Sequence, residues 1–108
     1  MKIKFANGVV KECTSPTEQK AFKNISEKTI GTGWILNLKL IGLITSSELD
    51  ALLSEENVKS LEFSFTSDEG EEIILFNLEG YDKVTSSVIR YSEDTNTAYT
   101  EIQLSRGF

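Results

Sequence analysis

Apolar and polar residues alternate along much of this chain, which is the pattern of β-strands that bury one face. Two alternating runs, residues 2–5 and 9–13, lie on either side of Asn7-Gly8. An Asn-Gly pair between such runs favours a tight hairpin, because both residues tolerate the positive φ that the turn requires. The pattern therefore predicts a β-hairpin at the start of the chain.

A further strand is predicted over residues 34–40. Its even-numbered residues are large and apolar, so we expect them to face the core: Trp34, Leu36, Leu38 and Leu40. Gly31-Thr32-Gly33 before it predicts a turn, since a phosphate-binding loop would follow a strand and open a helix instead. Residues 16–28 stay open between a short helix, which Ser15-Pro16 would begin, and an irregular strand or loop.

One helix is predicted over about residues 46–56. Thr45-Ser46-Ser47-Glu48 has the form of a capping box. Three leucines then follow at helical spacing and form a narrow apolar stripe: Leu49, Leu52 and Leu53. Asn57 is expected to end the helix in a left-handed conformation.

The second half of the chain predicts a meander of four strands, over residues 59–66, 71–78, 84–92 and 98–104. Ile73-Ile74-Leu75-Phe76, in the second of them, is apolar on both faces, which predicts an interior strand. A break at Gly80 and the polar loop Glu93-Asp94-Thr95-Asn96 separate the later strands.

The order of these elements is a hairpin, an open segment, a strand, a helix and four further strands. It lacks regular β-α-β alternation and predicts an α+β fold that is mainly antiparallel β. A small sandwich or open barrel of about six to seven strands, with one main helix, satisfies the pattern. The 108 residues fit a single domain over residues 1–108 with one modest core.

The net charge of the chain limits the classes of molecule that we expect it to bind. The chain has 11 basic and 17 acidic residues, for a formal net charge of −6. Because phosphate binding needs clustered lysine and arginine, we expect neither nucleic acid nor an anionic membrane surface as a partner. The simplest expectation is that the negative charge keeps this small domain soluble.

Cysteine use and hydropathy bear on location. Cys13 is the single cysteine, so the chain cannot form an internal disulfide of the kind that small extracellular domains use. Residues 34–44, the longest apolar stretch, are interrupted by Asn37 and Lys39 and are too short to span a bilayer. The first residues lack the continuous apolar core of a signal peptide. We therefore expect an intracellular, cytoplasmic protein.

No set of residues predicts a catalytic, cofactor-binding or metal-binding site. The chain has no histidine, which removes the commonest general base and the commonest metal ligand. Cys13 would need a cation or a helix N-terminus to become reactive, and we expect it to be buried or incidental instead. Four clustered acidic residues lack the spacing of a calcium loop, and we expect them in a solvated turn: Asp68, Glu69, Glu71 and Glu72.

Aromatic side chains offer a candidate contact surface. Most of the six phenylalanines are expected in the core, whereas Tyr91 and Tyr99 lie on polar strands near the end of the chain. We therefore predict that the last two strands present Tyr91 and Tyr99 to a partner. A sheet edge in this serine- and threonine-rich region can also pair with another chain.

Three segments resemble small uncharacterised proteins encoded among phage or prophage genes of Gram-positive bacteria. They are the opening Met1-Lys2-Ile3-Lys4-Phe5-Ala6-Asn7-Gly8, the helix Leu49-Asp50-Ala51-Leu52-Leu53 and the break Gly80-Tyr81. The resemblance implies a structural role in a tail or virion, and incorporation into a virion as a further location. It supplies no catalytic residue.

Three functions follow, in order of preference. The first is a non-catalytic structural or assembly module that acts through a sheet edge or the late-strand face, by binding a protein partner or by self-association. The second is a small acidic intracellular regulator that occupies a basic protein site, which requires its acids to be concentrated on one surface. The third is a carboxylate-based enzyme or ligand binder, which requires a pocket with two carboxylates or with one whose pKa is raised.

Overall fold

The chain forms strands and two short helices. The computed structural model describes residues 1–25 and 28–107. In chain order the elements are β1 (Lys2–Lys4), β2 (Val10–Glu12), β3 (Thr17–Ile25), β4 (Lys28–Ile41), α1 (Ser46–Leu52), α2 (Glu55–Val58), β5 (Ser60–Thr66), β6 (Glu72–Glu79), β7 (Lys83–Ser92) and β8 (Thr97–Arg106).

The strands make two four-stranded sheets, ordered β2-β1-β5-β6 and β3-β4-β8-β7. Every pairing in both sheets is antiparallel. This confirms the mainly antiparallel class that was expected. The expected number of six to seven strands is too low, since the described chain has eight. An isolated bridge between Cys13 and Leu40 joins the end of β2 to β4.

One apolar cluster contains side chains from both sheets and both helices: Ile3, Phe5, Cys13, Leu36, Leu38, Leu40, Leu49, Leu52, Val58, Leu61, Phe63, Tyr81, Ile102 and Leu104. Burial of such a side chain contributes about 1.5–3 kcal/mol, so this cluster is the main source of stability. The expected core face of the strand over residues 34–40 is confirmed for its three leucines. Trp34 is an exception, because it lies at the margin of the cluster and is 37% exposed.

The predicted N-terminal hairpin is confirmed, with a longer connection than a two-residue turn. Lys2 pairs with Glu12 and Lys4 pairs with Val10. Of the Asn7-Gly8 pair, Gly8 alone has a positive φ, of 90°. Asn7 does not have a positive φ, and its backbone N–H donates to the Asn57 side chain, at 2.7 Å.

The segment over residues 16–28, left open between helix and strand, contains β3 and the first residue of β4. Thr17 pairs with Asn37 and Lys20 with Trp34, while residues 26 and 27 lie outside the described chain. The turn predicted at Gly31-Thr32-Gly33 is wrong, since β4 runs unbroken from Lys28. Thr32 and Gly33 pair with β3, and this pairing outweighs the local preference of glycine for a turn.

The single helix predicted over about residues 46–56 is divided in two. The Thr45 cap is confirmed, since its hydroxyl accepts the Glu48 N–H at 3.1 Å. The break lies at Leu53 and Ser54, where Ser54 is extended, with ψ 155°. Asn57 is buried inside α2 rather than forming a left-handed end, and its side-chain amide donates to the Leu52 carbonyl at 2.7 Å. That bond satisfies a carbonyl that a continuous helix would have used itself.

The predicted four-strand meander is wrong at its midpoint. β5 and β6 form a hairpin in the first sheet, whereas β7 and β8 form a hairpin in the second. The chain changes sheets at Gly80, with φ 86°, and Tyr81, which is fully buried. Because the chain leaves after β6, no strand of the described chain lies beyond it, and β6 is an edge strand rather than the predicted interior one.

Candidate functional site

The most unusual surface of the molecule is the centre of β6. Four consecutive apolar residues there are exposed, and Ile74 is the most exposed of them, at 56%. We call Ile73, Ile74, Leu75 and Phe76, together with the outward backbone of β6, the apolar edge. An edge strand presents unpaired N–H and C=O groups, and apolar side chains beside them make it a template for another strand.

Pairing with β5 covers the apolar edge on one side only. Phe76 lies opposite Phe63 and Ile73 lies opposite Phe65. The rings of Phe63 and Phe76 stack with centroids 4.8 Å apart, which covers one side of Phe76. The register shifts after Phe63 and leaves Leu75 as an extra residue, a β-bulge. Contact with β5 therefore covers β6 on one side, and Phe76 is still 38% exposed.

The other three edge strands carry features that hinder pairing with another chain. β2 has only three residues, and Lys11 is at its centre. β3 carries Glu18 and Lys20. β7 has a bulge beside Thr85, as β6 has at Leu75, and differs from β6 in that Ser86 and Ser87 precede a shorter exposed apolar run, Val88 and Ile89. Short length and charge are usual protections of sheet edges.

β6 has a different form of protection, in which charge flanks the apolar run without interrupting it. Glu72 begins the strand and Glu79 ends it. Acidic residues at the ends of an apolar strand act as gatekeepers against aggregation. The apolar run was visible in the sequence, but its position at an edge was not. The flanking glutamates were the one signal that pointed to an exposed strand.

Tyr91 and Tyr99, the residues predicted to face a partner, lie on opposite faces of the second sheet. Tyr91 pairs with Ala98, whose face is the core face, but it extends past the core and is 58% exposed. Its hydroxyl hydrogen-bonds Asn96. Tyr99 is half-buried on the other face, where the Lys39 ammonium lies 5.1 Å from its ring centre. The structure therefore does not bring the two rings into one surface.

A shallow groove of about 470 Å³ crosses the outer face of the second sheet. Gln103 in its lining is already hydrogen-bonded: its amide donates to Asn37 at 3.0 Å, and its side-chain oxygen accepts from the Thr85 hydroxyl at 2.8 Å. Its one carboxylate among the described lining residues is Glu101, which is ion-paired with Arg90 at 3.1 Å. The pocket with two carboxylates that an enzyme of this type requires is not found in this groove.

Tyr81 holds the connection between β6 and β7 in place. Its hydroxyl donates to Glu18 in β3, and the Arg106 guanidinium lies 4.9 Å from its ring centre. Arg106 also lies 3.6 Å from the Glu18 carboxylate and donates to the Glu79 carbonyl. Burial raises the pKa of Tyr81 well above its ordinary value, and the hydrogen bond to Glu18 raises it further. The Tyr81 hydroxyl therefore stays protonated and joins the connection between β6 and β7 to β3.

Cys13 is buried, and the acidic residues that the structure describes do not form a metal-binding cluster. Burial raises the pKa of the Cys13 thiol to about 11, so it is protonated at neutral pH and a poor nucleophile. Within residues 1–25 and 28–107, no group of three or more potential metal ligands is close enough to hold an ion. No helix in that part of the chain is long and apolar enough to cross a membrane.

Comparison of the chain with protein-family models, curated proteins and solved structures gives no match. The function is therefore inferred from the surfaces that the chain itself presents.

Proposed function

We propose that this chain is a non-catalytic structural or assembly module that joins another chain by accepting a strand at its apolar edge. The observation that carries this proposal is the exposure of four consecutive apolar residues on an edge strand. In strand addition the backbone groups of the edge supply affinity, and the side chains along it supply specificity.

The sequence of β6 supports this reading, because it is the sequence of an interior strand. Ile73, Ile74 and Leu75 are apolar in succession, as is usual where both faces and both edges of a strand are covered. In the described chain, cover comes only from the side of β5. A strand from another chain, hydrogen-bonded along the outer side of β6, would pair its free backbone groups and place side chains beside these apolar residues.

A structural part of a phage tail or virion is one setting for such a module, and the resemblance of the chain to phage-encoded proteins motivates that proposal. Tyr91, with the highly exposed Leu43 beside it in a groove of about 400 Å³, is a second contact surface in this scheme. The alternative of an acidic regulator is supported by one local cluster of carboxylates, at residues 68–72, whereas Glu18, Glu56 and Glu101 lie on three separate elements and are each paired with a cation.

The experiment is light scattering behind size-exclusion chromatography, run over a range of protein and salt concentrations. Three proteins are compared: the wild type, Ile74→Lys in the apolar edge, and Ile89→Lys on β7. Ile89 is a matched control, because it is 42% exposed, lies in the other sheet and receives the same charge. Raising sodium chloride to about 1 M shortens the Debye length to about 3 Å and removes repulsion between the glutamates of two molecules.

We expect the wild type and Ile89→Lys to associate at high salt, and Ile74→Lys to remain monomeric. Association of all three proteins to the same extent would place the contact elsewhere and overturn the role of the apolar edge. A wild type that stays monomeric at every salt concentration, and that also fails to bind any of the strand peptides described below, would overturn the proposal as a whole.

A further inference from the structure

We infer that the strand accepted by the apolar edge comes from a different protein and carries lysine or arginine at its ends, above all at the end beside the turn between β5 and β6. This inference rests on the proposed function and adds the class of partner. The occupant is an extended, apolar, basic-flanked segment rather than a second copy of this chain.

The charge around the apolar edge is acidic and concentrated at one end. The turn before β6 and the first residue of the strand carry four exposed carboxylates: Asp68, Glu69, Glu71 and Glu72. None of them forms an ion pair with another residue of the described chain. Backbone hydrogen bonds from Ser67 to the Glu71 carbonyl, at 2.8 Å, and from Gly70 to the Ser67 carbonyl, at 2.9 Å, hold the turn beside the first residues of β6.

The other end of the edge is less acidic. It carries Glu79, but the Arg106 side chain bonds the Glu79 carbonyl there, and Lys83 begins the next strand. A strand lying along β6 therefore meets strong negative charge beside the turn and a more balanced charge at its other end. This asymmetry is the reason that basic residues are required chiefly beside the turn.

A second copy of this chain is a poor occupant for the same reason. If two β6 strands pair antiparallel over their full length, Glu72 of each copy lies opposite Glu79 of the other, and like charges in that position are destabilising. If they pair in parallel and in register, each glutamate lies beside its own counterpart. Registers shifted by two residues still leave glutamates of the two copies within about 10 Å, the Debye length at 0.1 M salt.

The bulge at Leu75 also acts against pairing between copies. A bulge increases the local twist, so two bulged strands pair less regularly with each other than either does with a strand that has no bulge. A strand from another protein need not carry a bulge. Lysine or arginine at its ends is attracted by the same glutamates that repel a second copy of this chain. Charge and backbone shape thus favour the same occupant.

The test uses capped peptides about ten residues long, the length of a long strand. The first has alternating valine and threonine at its centre and paired lysines at both ends. The second replaces the lysines by glutamates. The third keeps the lysines but has prolines at its centre, so it cannot form a ladder. Binding to the full chain is measured by fluorescence anisotropy at low and high salt, and the site is located from backbone amide shifts in NMR spectra.

The lysine peptide is expected to bind at β6 about tenfold more tightly than the glutamate peptide at low salt, since each opposite-charge pair across strands adds up to about fivefold. The proline peptide should not bind. The variant Glu71→Gln/Glu72→Gln should reduce the tenfold preference to about threefold or less while the lysine peptide still binds. Salt should weaken peptide binding but strengthen association of the wild type with itself, and these opposite responses separate the two kinds of contact.

Equal binding of the lysine and glutamate peptides at β6 would overturn this inference and leave the proposed function intact. The same holds if no peptide binds but the wild type associates through β6. If no peptide binds and no salt concentration gives association, the proposed function fails as well. Binding of the lysine peptide away from β6 would also overturn the inference.

Discussion

β5 and β6 are consecutive, paired strands, and β6, at the edge of the sheet, is the more apolar of the two. β5 lies inside the first sheet and buries Leu61 and Phe63 completely. β6 lies at the edge, and its residues from Ile73 to Phe76 are all at least 38% exposed. The more apolar strand therefore buries its apolar side chains less completely.

The difference shows that an apolar strand is explained by its neighbours and not by its composition. For β5 the neighbours are β1 and β6 in the sheet and the common core, so its apolar residues are accounted for by stability. For β6 a neighbour is present on one side only of the described chain. Apolar residues that stay exposed together after folding are typical of a binding surface. Substitutions in the two strands test this contrast directly.

The largest effect is expected for Phe63→Ala in β5. Phe63 is fully buried in the core and stacks on Phe76. Truncating a buried phenylalanine leaves a cavity and costs about 3–5 kcal/mol, a large part of the stability of about 5–15 kcal/mol that is usual for a domain. Urea denaturation followed by circular dichroism measures the loss. A loss under about 1 kcal/mol would mean that β5 is no more essential to the core than β6.

Much of the fold could be predicted from local signals. The Asn7-Gly8 hairpin, the Thr45 helix cap and the buried leucines of β4 each depend on a few neighbouring residues, and each is confirmed. Side-chain bonds and strand pairing that the local pattern does not encode were missed. The Asn57 side chain bonds the Leu52 carbonyl beside the break between the helices, and the backbone of Thr32 and Gly33 pairs with β3.

The apolar run of β6 was recognised in the sequence, but it was assigned to an interior strand. The period of Ile73-Ile74-Leu75-Phe76 is the same whether a strand lies inside a sheet or at an edge that a partner covers. The sequence pattern could not decide between them because the position of β6 depends on where the chain goes next. After β6 the chain enters the second sheet, where the Tyr81 hydroxyl donates to Glu18, a residue 63 positions away.

The second largest effect is expected for Tyr81→Phe, which tests how the end of β6 is anchored. The change keeps the ring but removes the hydroxyl that donates to Glu18. A hydrogen bond to a charged group contributes about 1.5–3 kcal/mol, so we expect a loss in that range in urea denaturation. A loss under about 0.5 kcal/mol would show that Arg106 alone holds Glu18 and this connection.

The same residue should also give stability a distinct pH dependence. Because the pKa of Tyr81 is raised in the folded state, its contribution is complete below the pKa of an unfolded tyrosine, about 10, and is lost as pH rises above that value. Urea denaturation at pH 8 and at higher pH measures the slope. Tyr81→Phe should decline less steeply with pH than the wild type, and parallel slopes would contradict this assignment.

A smaller effect is expected for Phe76→Ala, the partner of Phe63 across the strands. Phe76 is 38% exposed, so less apolar area is lost than in the core, and the stacking of the two rings adds modestly to it. We expect a loss of about 1–2 kcal/mol, clearly smaller than that of Phe63→Ala. Measuring both variants in the same urea series checks the order. Equal losses would mean that Phe76 belongs to the folding core.

The smallest effect on folding is expected for Ile74→Lys, and it is the sharpest test of the contrast between β5 and β6. Ile74 is 56% exposed and has no strand on its outer side within the described chain. Its lysine replacement can keep the aliphatic stem against the sheet with the ammonium in water. The free energy of unfolding should therefore change by less than about 0.5 kcal/mol, as for an ordinary surface position.

The neighbouring variant Ile74→Thr supplies a control that keeps a β-branched side chain without adding charge. If both variants retain stability and the lysine variant alone fails to bind the lysine-flanked peptide, charge at the apolar edge decides binding. If both retain stability and both fail to bind, the apolar side chain itself is required. A loss above about 2 kcal/mol in both would instead assign Ile74 to the core, and the exposed apolar run of β6 would then be explained by folding alone.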